Sequence, residues 1–396
     1  MRKLLLASSV LAMGLGAATA AQAEVKIGVI LGFTGPIESL TPDMASGAEM
    51  AMSEVSESGA LLGGETVTPV RGDSTCIDSA AATAAAERLI TSDGVAAIMG
   101  ADCSGVTTAI AENVAVPNGV VMISPSATSP ALSTIDDNGY FFRTSPSDAR
   151  QGQVLSDILN DRGINTIAVT YTNNDYGKGL ADAFQAAYEA SGGTVTVSVP
   201  HEDGKADYSA EVATLAASGA EHLGVFGYVD QGGRGIIENS LDTGAFEQFI
   251  LADGMIGDSL VEAIGDALNG TVGTLPGNES DGAARFMELA ASMGVNGEGP
   301  FVPESYDAAA LILLAMQAAG SANSADFAAH VMDVANAPGE QILPGELAKG
   351  LEILANGGEI DYVGATAVEL IGPGEAAGSY RELLVEGGAF TTVQIR

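Results

Sequence analysis

The chain has no tryptophan, three histidines and two cysteines in 396 residues, and only 15 lysines and arginines against 51 aspartates and glutamates. Each shortage excludes something. With a formal net charge of −36 the chain repels nucleic acid and anionic membrane surfaces, which are held through clusters of Lys and Arg. The acids are spread along the whole sequence, which describes a solvated surface and says little about mechanism. His201, His222 and His330 are scattered with no metal-ligand spacing, so no metal or other cofactor is expected. There is no GxSxG, HExxH, phosphate-binding loop or dinucleotide fingerprint, and the GGRG at Gly232 lacks the strand–turn context a phosphate needs. The chain is not read as an enzyme.

Long apolar runs are equally scarce. The opening, MRKLLLASSVLAMGLGAATAAQAE, sets Arg2 and Lys3 ahead of an apolar stretch from Leu4 to about Ala18, with small residues before Glu24. That is the pattern of a secretory leader, residues 1–23, cleaved after Ala23. The stretch is too short for a membrane anchor, and AAALILLAMQAAG is about one core helix long. No cysteine follows the cleavage point to carry a lipid. The remainder is expected to be exported to the periplasm without direct membrane insertion. In that oxidising compartment Cys76 and Cys103 are expected to pair, which chain-entropy arguments value at about 3–4 kcal/mol.

What is present is a rhythm. Short β-branched runs such as EVKIGVIL, TVTPVRGD, GVAAIMG and NGVVMIS alternate with amphipathic, alanine-rich segments. This spacing predicts parallel βαβ units and an α/β fold, with helices on both faces of each sheet. The rhythm restarts after GYFFRTSPSDA, through TIAVTYT, TVTVSVP, HLGVFGY and QFILADG. The length exceeds one core, and the later helices return to cover the first sheet. The reading is therefore two lobes, 24–144 with 277–365 and 145–276 with 366–396, joined by crossings near Thr144, Gly277 and Ala365.

Ligands of open α/β sheets bind beyond the carboxyl ends of the strands. In the first lobe these ends carry ADCSG, with Ser104 opening a helix, and SPSATSP, with Ser126 and Thr128. Unpaired helix N–H groups and hydroxyls without a lysine or arginine suit one carboxylate. In the second lobe the ends carry Asp253, Tyr228 and Tyr176, which suit an ammonium group through ion pairing and cation–π attraction. Each residue alone also reads as a helix cap or a turn. Together, an anion site on one lobe and a cation site on the other describe an α-amino acid zwitterion.

These residues resemble the periplasmic amino-acid-binding proteins of ABC importers, nearest the leucine/isoleucine/valine-binding proteins, over essentially the whole exported chain. KIGVILGFTGP resembles the family opening, GADCSG and MISPSATSPAL its ligand-carboxylate region, and YGKGLADAF, DYSAEVATL and GYVDQGG its second-lobe segments. The resemblance implies a two-lobed type I periplasmic-binding fold with the ligand in the interlobe cleft. It also implies a disulfide at Cys76 and Cys103, no chemistry on the ligand, and a permease as partner; a monomer is expected. By similarity, Ser104, Thr128 and the backbone at Ser126 hold the carboxylate, Asp253 the ammonium, and Tyr176, Tyr228 and Phe301 the side chain. Asp102 departs from the pattern. An unpaired buried carboxylate beside an aliphatic ligand costs several kcal/mol or takes up a proton, so it either faces solvent or the ligand is polar or cationic. The expected ligand is a branched-chain or other neutral amino acid. The alternatives are a polar or cationic amino acid, an amide or urea, an aromatic carboxylate, or a sensing role for the same fold.

Overall fold

The structure, a computed structural model, describes residues 24–396; the expected leader and its cleavage after Ala23 lie outside the described residues. The predicted alternation forms two seven-stranded sheets. The first has the spatial order Leu370–Ile371, Glu375–Ala376, Phe141–Arg143, Met122–Ser124, Ala97–Gly100, Glu24–Leu31 and Thr66–Asp73. Every neighbouring pair is parallel except the first. Five strands of the second sheet are parallel: Val272–Pro276, Gln248–Leu251, His222–Phe226, Thr166–Thr172 and Thr194–His201, again in spatial order. The hairpin Tyr380–Glu386 and Ala389–Ile395 closes its edge in antiparallel register.

The central strands are apolar on both faces because helices cover both. Ile27, Val29, Ile30 and Leu31 are buried consecutively or nearly so, as parallel sheets require. The helix Val302–Ala319 returns to the first sheet, packing on the helix Thr41–Ser58 and on strands Ala97–Gly100 and Met122–Ser124. Its residues from Ala308 to Met316 are fully buried, so AAALILLAM is core filling. Among the described residues no helix is long and apolar enough to cross a membrane. Cys76 and Cys103 form a disulfide that joins the loops after Thr66–Asp73 and Ala97–Gly100, the two strands on either side of Glu24–Leu31.

The chain changes sheet three times: between Arg143 and the helix Asp148–Asp161, between Pro276 and the helix Asp281–Met293, and between Ala376 and Tyr380. The last change falls later than the sequence reading near Ala365 placed it, because Leu370–Ile371 and Glu375–Ala376 join the first sheet. Two of the connections run side by side. Gly277 N–H donates to the carbonyl of Ser379 at 3.0 Å, and the Ser379 hydroxyl donates to the carbonyl of Gly277 at 2.9 Å. Thr144, on the third, donates its hydroxyl to the backbone oxygen of Glu304 at 2.8 Å. The Glu304 carboxyl is buried at this hinge, and desolvation pushes it up to about 8.

Candidate functional site

The first-lobe wall of the cleft is built on Asp102, which the sequence left without a partner. Its Oδ2 accepts the N–H of Gly32 at 2.6 Å. Its Oδ1 accepts the Ser74 hydroxyl at 3.0 Å and the N–H of Cys103 at 2.9 Å. One carboxylate thus pins the ends of three adjacent strands. Position 32 must be glycine for this approach, since an added Cβ would lie 3.0 Å from Asp102 Oδ2 and 3.1 Å from Cys76 Cβ. Burial pushes the Asp102 carboxyl up and the three donors pull it back. Asp102 does not face solvent: it is 2% exposed, and both of its oxygens accept hydrogen bonds from the protein's own groups.

The SPSATSP loop is shaped from beneath by Arg143, itself 1% exposed. Its Nη1 donates to the carbonyls of Ala127 and Ser129, each at 2.9 Å, and its Nη2 donates to the Ser133 hydroxyl at 2.7 Å and to Glu375. Ser124 Oγ accepts the N–H of Ala127 at 2.9 Å. On this frame Ser104 Oγ accepts the N–H of Ser129 at 3.1 Å, which leaves its own proton to give. Ser126 Oγ donates to the carbonyl of Asp102 at 3.1 Å. Thr128 is fully buried and its Oγ1 has no hydrogen-bond partner.

The second-lobe wall carries the acids and rings. Tyr176 donates its hydroxyl to Asp253 Oδ1 at 2.7 Å and accepts the N–H of Gly254 at 3.1 Å. Tyr176 and Tyr228 stack with centroids 5.3 Å apart, and Asn174 Nδ2 donates to the Tyr228 hydroxyl at 3.2 Å. Burial pushes the Asp253 carboxyl up to about 6, against the pull of Tyr176, Gly254 and Gln151.

A second carboxyl stands behind it that the sequence reading missed. Asp148 is fully buried and neither of its oxygens has a hydrogen-bond partner. Its N–H donates to the carbonyl of Thr128 at 2.8 Å, so the backbone sets it beside the Thr128 side chain. Burial, and then the charge of Asp253, push its carboxyl well above the usual carboxylate range. Gln151 Oε1 and the Tyr380 hydroxyl are buried and unpartnered as well. Asp148 opens a helix behind the cap Ser147, and in sequence such an acid reads as ordinary first-turn chemistry.

Seven of the eight residues expected at the site border one narrow hollow: Asp102, Ser104, Ser126, Tyr176, Tyr228, Asp253 and Phe301. Thr128 does not border it. The rest of the wall includes Ile37, Leu40 and Met44, apolar residues of the first lobe that the sequence reading did not single out. Glu304 lies away from this hollow, at the hinge. Among the described residues no cluster of His, Cys, Asp and Glu is arranged to hold a metal ion.

Two α/β lobes around a cleft with hydroxyls on one wall and a buried carboxylate between tyrosines on the other define a binding protein for a small molecule. Residues 24–340 match the family described as periplasmic binding protein, and the chain belongs to that family. It is similar to Leu/Ile/Val-binding protein homolog 3 of Brucella melitensis, 32% identical over 70% of this chain and 73% of the relative. Among solved structures it resembles the leucine-binding protein LivK of Thermotoga maritima, with a TM-score of 0.79, 24% identity, and 94% and 98% of the two chains covered. It also resembles a solute-binding protein of an ABC transporter from R. palustris in complex with benzoate, with a TM-score of 0.74, 17% identity, and 94% and 96% covered. The two structural likenesses share the fold and differ in the ligand they name.

Proposed function

We propose that this chain captures a neutral, aliphatic α-amino acid of the branched-chain kind in the periplasm and delivers it to a membrane permease, without chemistry on the ligand. The observation that carries the reading is the buried carboxyl of Asp253, which borders the hollow with Ser104 and Ser126 of the other lobe and has the buried carboxyl of Asp148 near enough to act on its charge. A buried charge is tolerated only when partnered, and an ammonium in the hollow supplies an opposite charge to Asp253. Ser104 and the backbone at Ser126 receive the ligand carboxylate, with the Thr128 hydroxyl buried off the hollow in the same loop. Ile37, Leu40, Met44 and Phe301 offer the ligand side chain an apolar wall, with the faces of Tyr176 and Tyr228 beside it. With Asp102 already holding three donors, no carboxylate remains at that end to pair a cationic side chain. A ligand without an amine, such as an aromatic carboxylate, would leave Asp253 without that opposite charge.

A thermal-shift panel on residues 24–396 tests this, because a ligand that binds only the native state raises the melting temperature. Leucine, isoleucine or valine is expected to raise it, and arginine, urea and benzoate to leave it unchanged. A shift with benzoate alone overturns the reading.

The acids also set the sign of the pH dependence. The ammonium requires an ionised Asp253, whose carboxyl is pushed up to about 6 by burial. Affinity is therefore full above that value and falls as pH drops through it, approaching tenfold per pH unit for one proton displaced. Binding near pH 6 is expected to release protons, read as a buffer-dependent calorimetric enthalpy. Affinity and enthalpy that stay constant from pH 7.5 to 5 in every buffer contradict this role for Asp253.

A further inference from the structure

The mouth of the cleft carries a set of contacts that no ligand role accounts for. Asp230, in the second-lobe loop after His222–Phe226, accepts the N–H of Ser39 at 2.8 Å. It also accepts the Ser259 hydroxyl at 2.9 Å. Its own N–H donates to the carbonyl of Pro36 at 3.0 Å, and the hydroxyls of Ser39 and Ser259 are 3.3 Å apart. Pro36 and Ser39 belong to the first lobe, Asp230 and Ser259 to the second, so one oxygen and the amide of Asp230 tie the lobes together. Its other oxygen is held by Ser259 of its own lobe, whose hydroxyl also meets Ser39 across the gap.

The same short segments face the ligand hollow. Ile37 and Leu40 border it between and beside the tied residues, as does Tyr228 two positions before Asp230. Leu40 N–H closes a turn onto the carbonyl of Ile37 at 3.0 Å, which fixes the contact residues and the tie in one rigid piece. Leu40 also seats against Gly257 of the second lobe, where an added Cβ would lie 3.0 Å from Leu40 Cδ2. Asp230 does not border the hollow.

We infer that Asp230 is the latch of the cleft: it touches no ligand, and by holding the Pro36–Leu40 turn against the second lobe it sets how long a captured ligand stays. The inference rests on the amino-acid reading above. Apparent affinity scales with the population of the closed, binding-competent state, and a tie formed after capture acts on release more than on capture.

The test compares wild type with Asp230→Ala, using leucine release into excess competitor by stopped-flow tyrosine fluorescence and small-angle scattering with saturating leucine. Asp230→Ala is expected to release leucine about tenfold faster with an association rate within about twofold of wild type, and to keep a larger radius of gyration. Asp230→Asn retains one acceptor oxygen and is expected to fall between. Should Asp230→Ala fail to fold, Ser259→Ala removes one donor from the tie and is expected to speed release about two- to threefold. A purely structural role predicts a lower ligand-free melting temperature with wild-type release. Wild-type release rates and scattering in the variants overturn the latch. A wild-type protein that binds no amino acid overturns the functional reading first, and the latch with it.

Discussion

Replacing Asp253 with alanine is expected to weaken leucine binding at least a hundredfold while leaving the ligand-free melting temperature within a few degrees of wild type. The size follows from burial. Asp253 is 2% exposed, and removing one partner of a buried charge pair costs about 3–5 kcal/mol, of which every ~1.4 kcal/mol is a factor of ten. The contacts of Ser104 and Ser126 with the ligand carboxylate remain, so binding is weakened and not abolished. In the free protein the change strands the Tyr176 hydroxyl, a cost of about 1–3 kcal/mol that is offset in part by removing a desolvated carboxyl. Calorimetric titration checks it; an affinity within threefold of wild type removes Asp253 from the ammonium site.

Replacing Asp102 with alanine is expected to act on the fold and not on ligand choice. It strands the N–H groups of Gly32 and Cys103, and partly the Ser74 hydroxyl, which already accepts the N–H of Cys76 at 3.3 Å. Each stranded buried donor costs about 1–3 kcal/mol, for a total near 3 kcal/mol and a melting temperature lower by about 5–10 °C. Asp102→Asn, which keeps one acceptor oxygen, is expected to lose less. If Asp102 instead paired a cationic ligand side chain, the alanine variant would melt like wild type and lose binding of arginine or lysine.

The α/β fold and the chemistry of the strand ends were legible because both obey local rules. β-branched runs alternate with amphipathic segments, and polar residues gather where ligands of such sheets bind. Ser104, Ser126, Tyr176, Tyr228 and Asp253 could be found that way. Asp148 could not, since its role comes from the backbone bond that sets it beside Thr128 and from the approach of Asp253 across the fold. Ile37 and Leu40 escaped notice because their place in the wall exists only once the lobes meet. Asp102 was noticed without its partners: its three donors come from residues 32, 74 and 103, a convergence that needs the finished sheet. The third crossing was misjudged for a similar reason. Leu370–Ile371 and Glu375–Ala376 are too short to read as strands, and they join the first sheet through the N–H of Arg143 donating to the carbonyl of Gly374 at 2.9 Å and through the Arg143–Glu375 ion pair.

The central claim is that the cleft recognises both ends of an amino acid. Its most direct test is calorimetric titration of residues 24–396 with leucine and with 4-methylpentanoate, which is leucine without its amino group. The account predicts one leucine bound per chain and at least hundredfold weaker binding of 4-methylpentanoate. Equal or tighter binding of the amine-free acid would contradict it and leave Asp253 without its proposed partner.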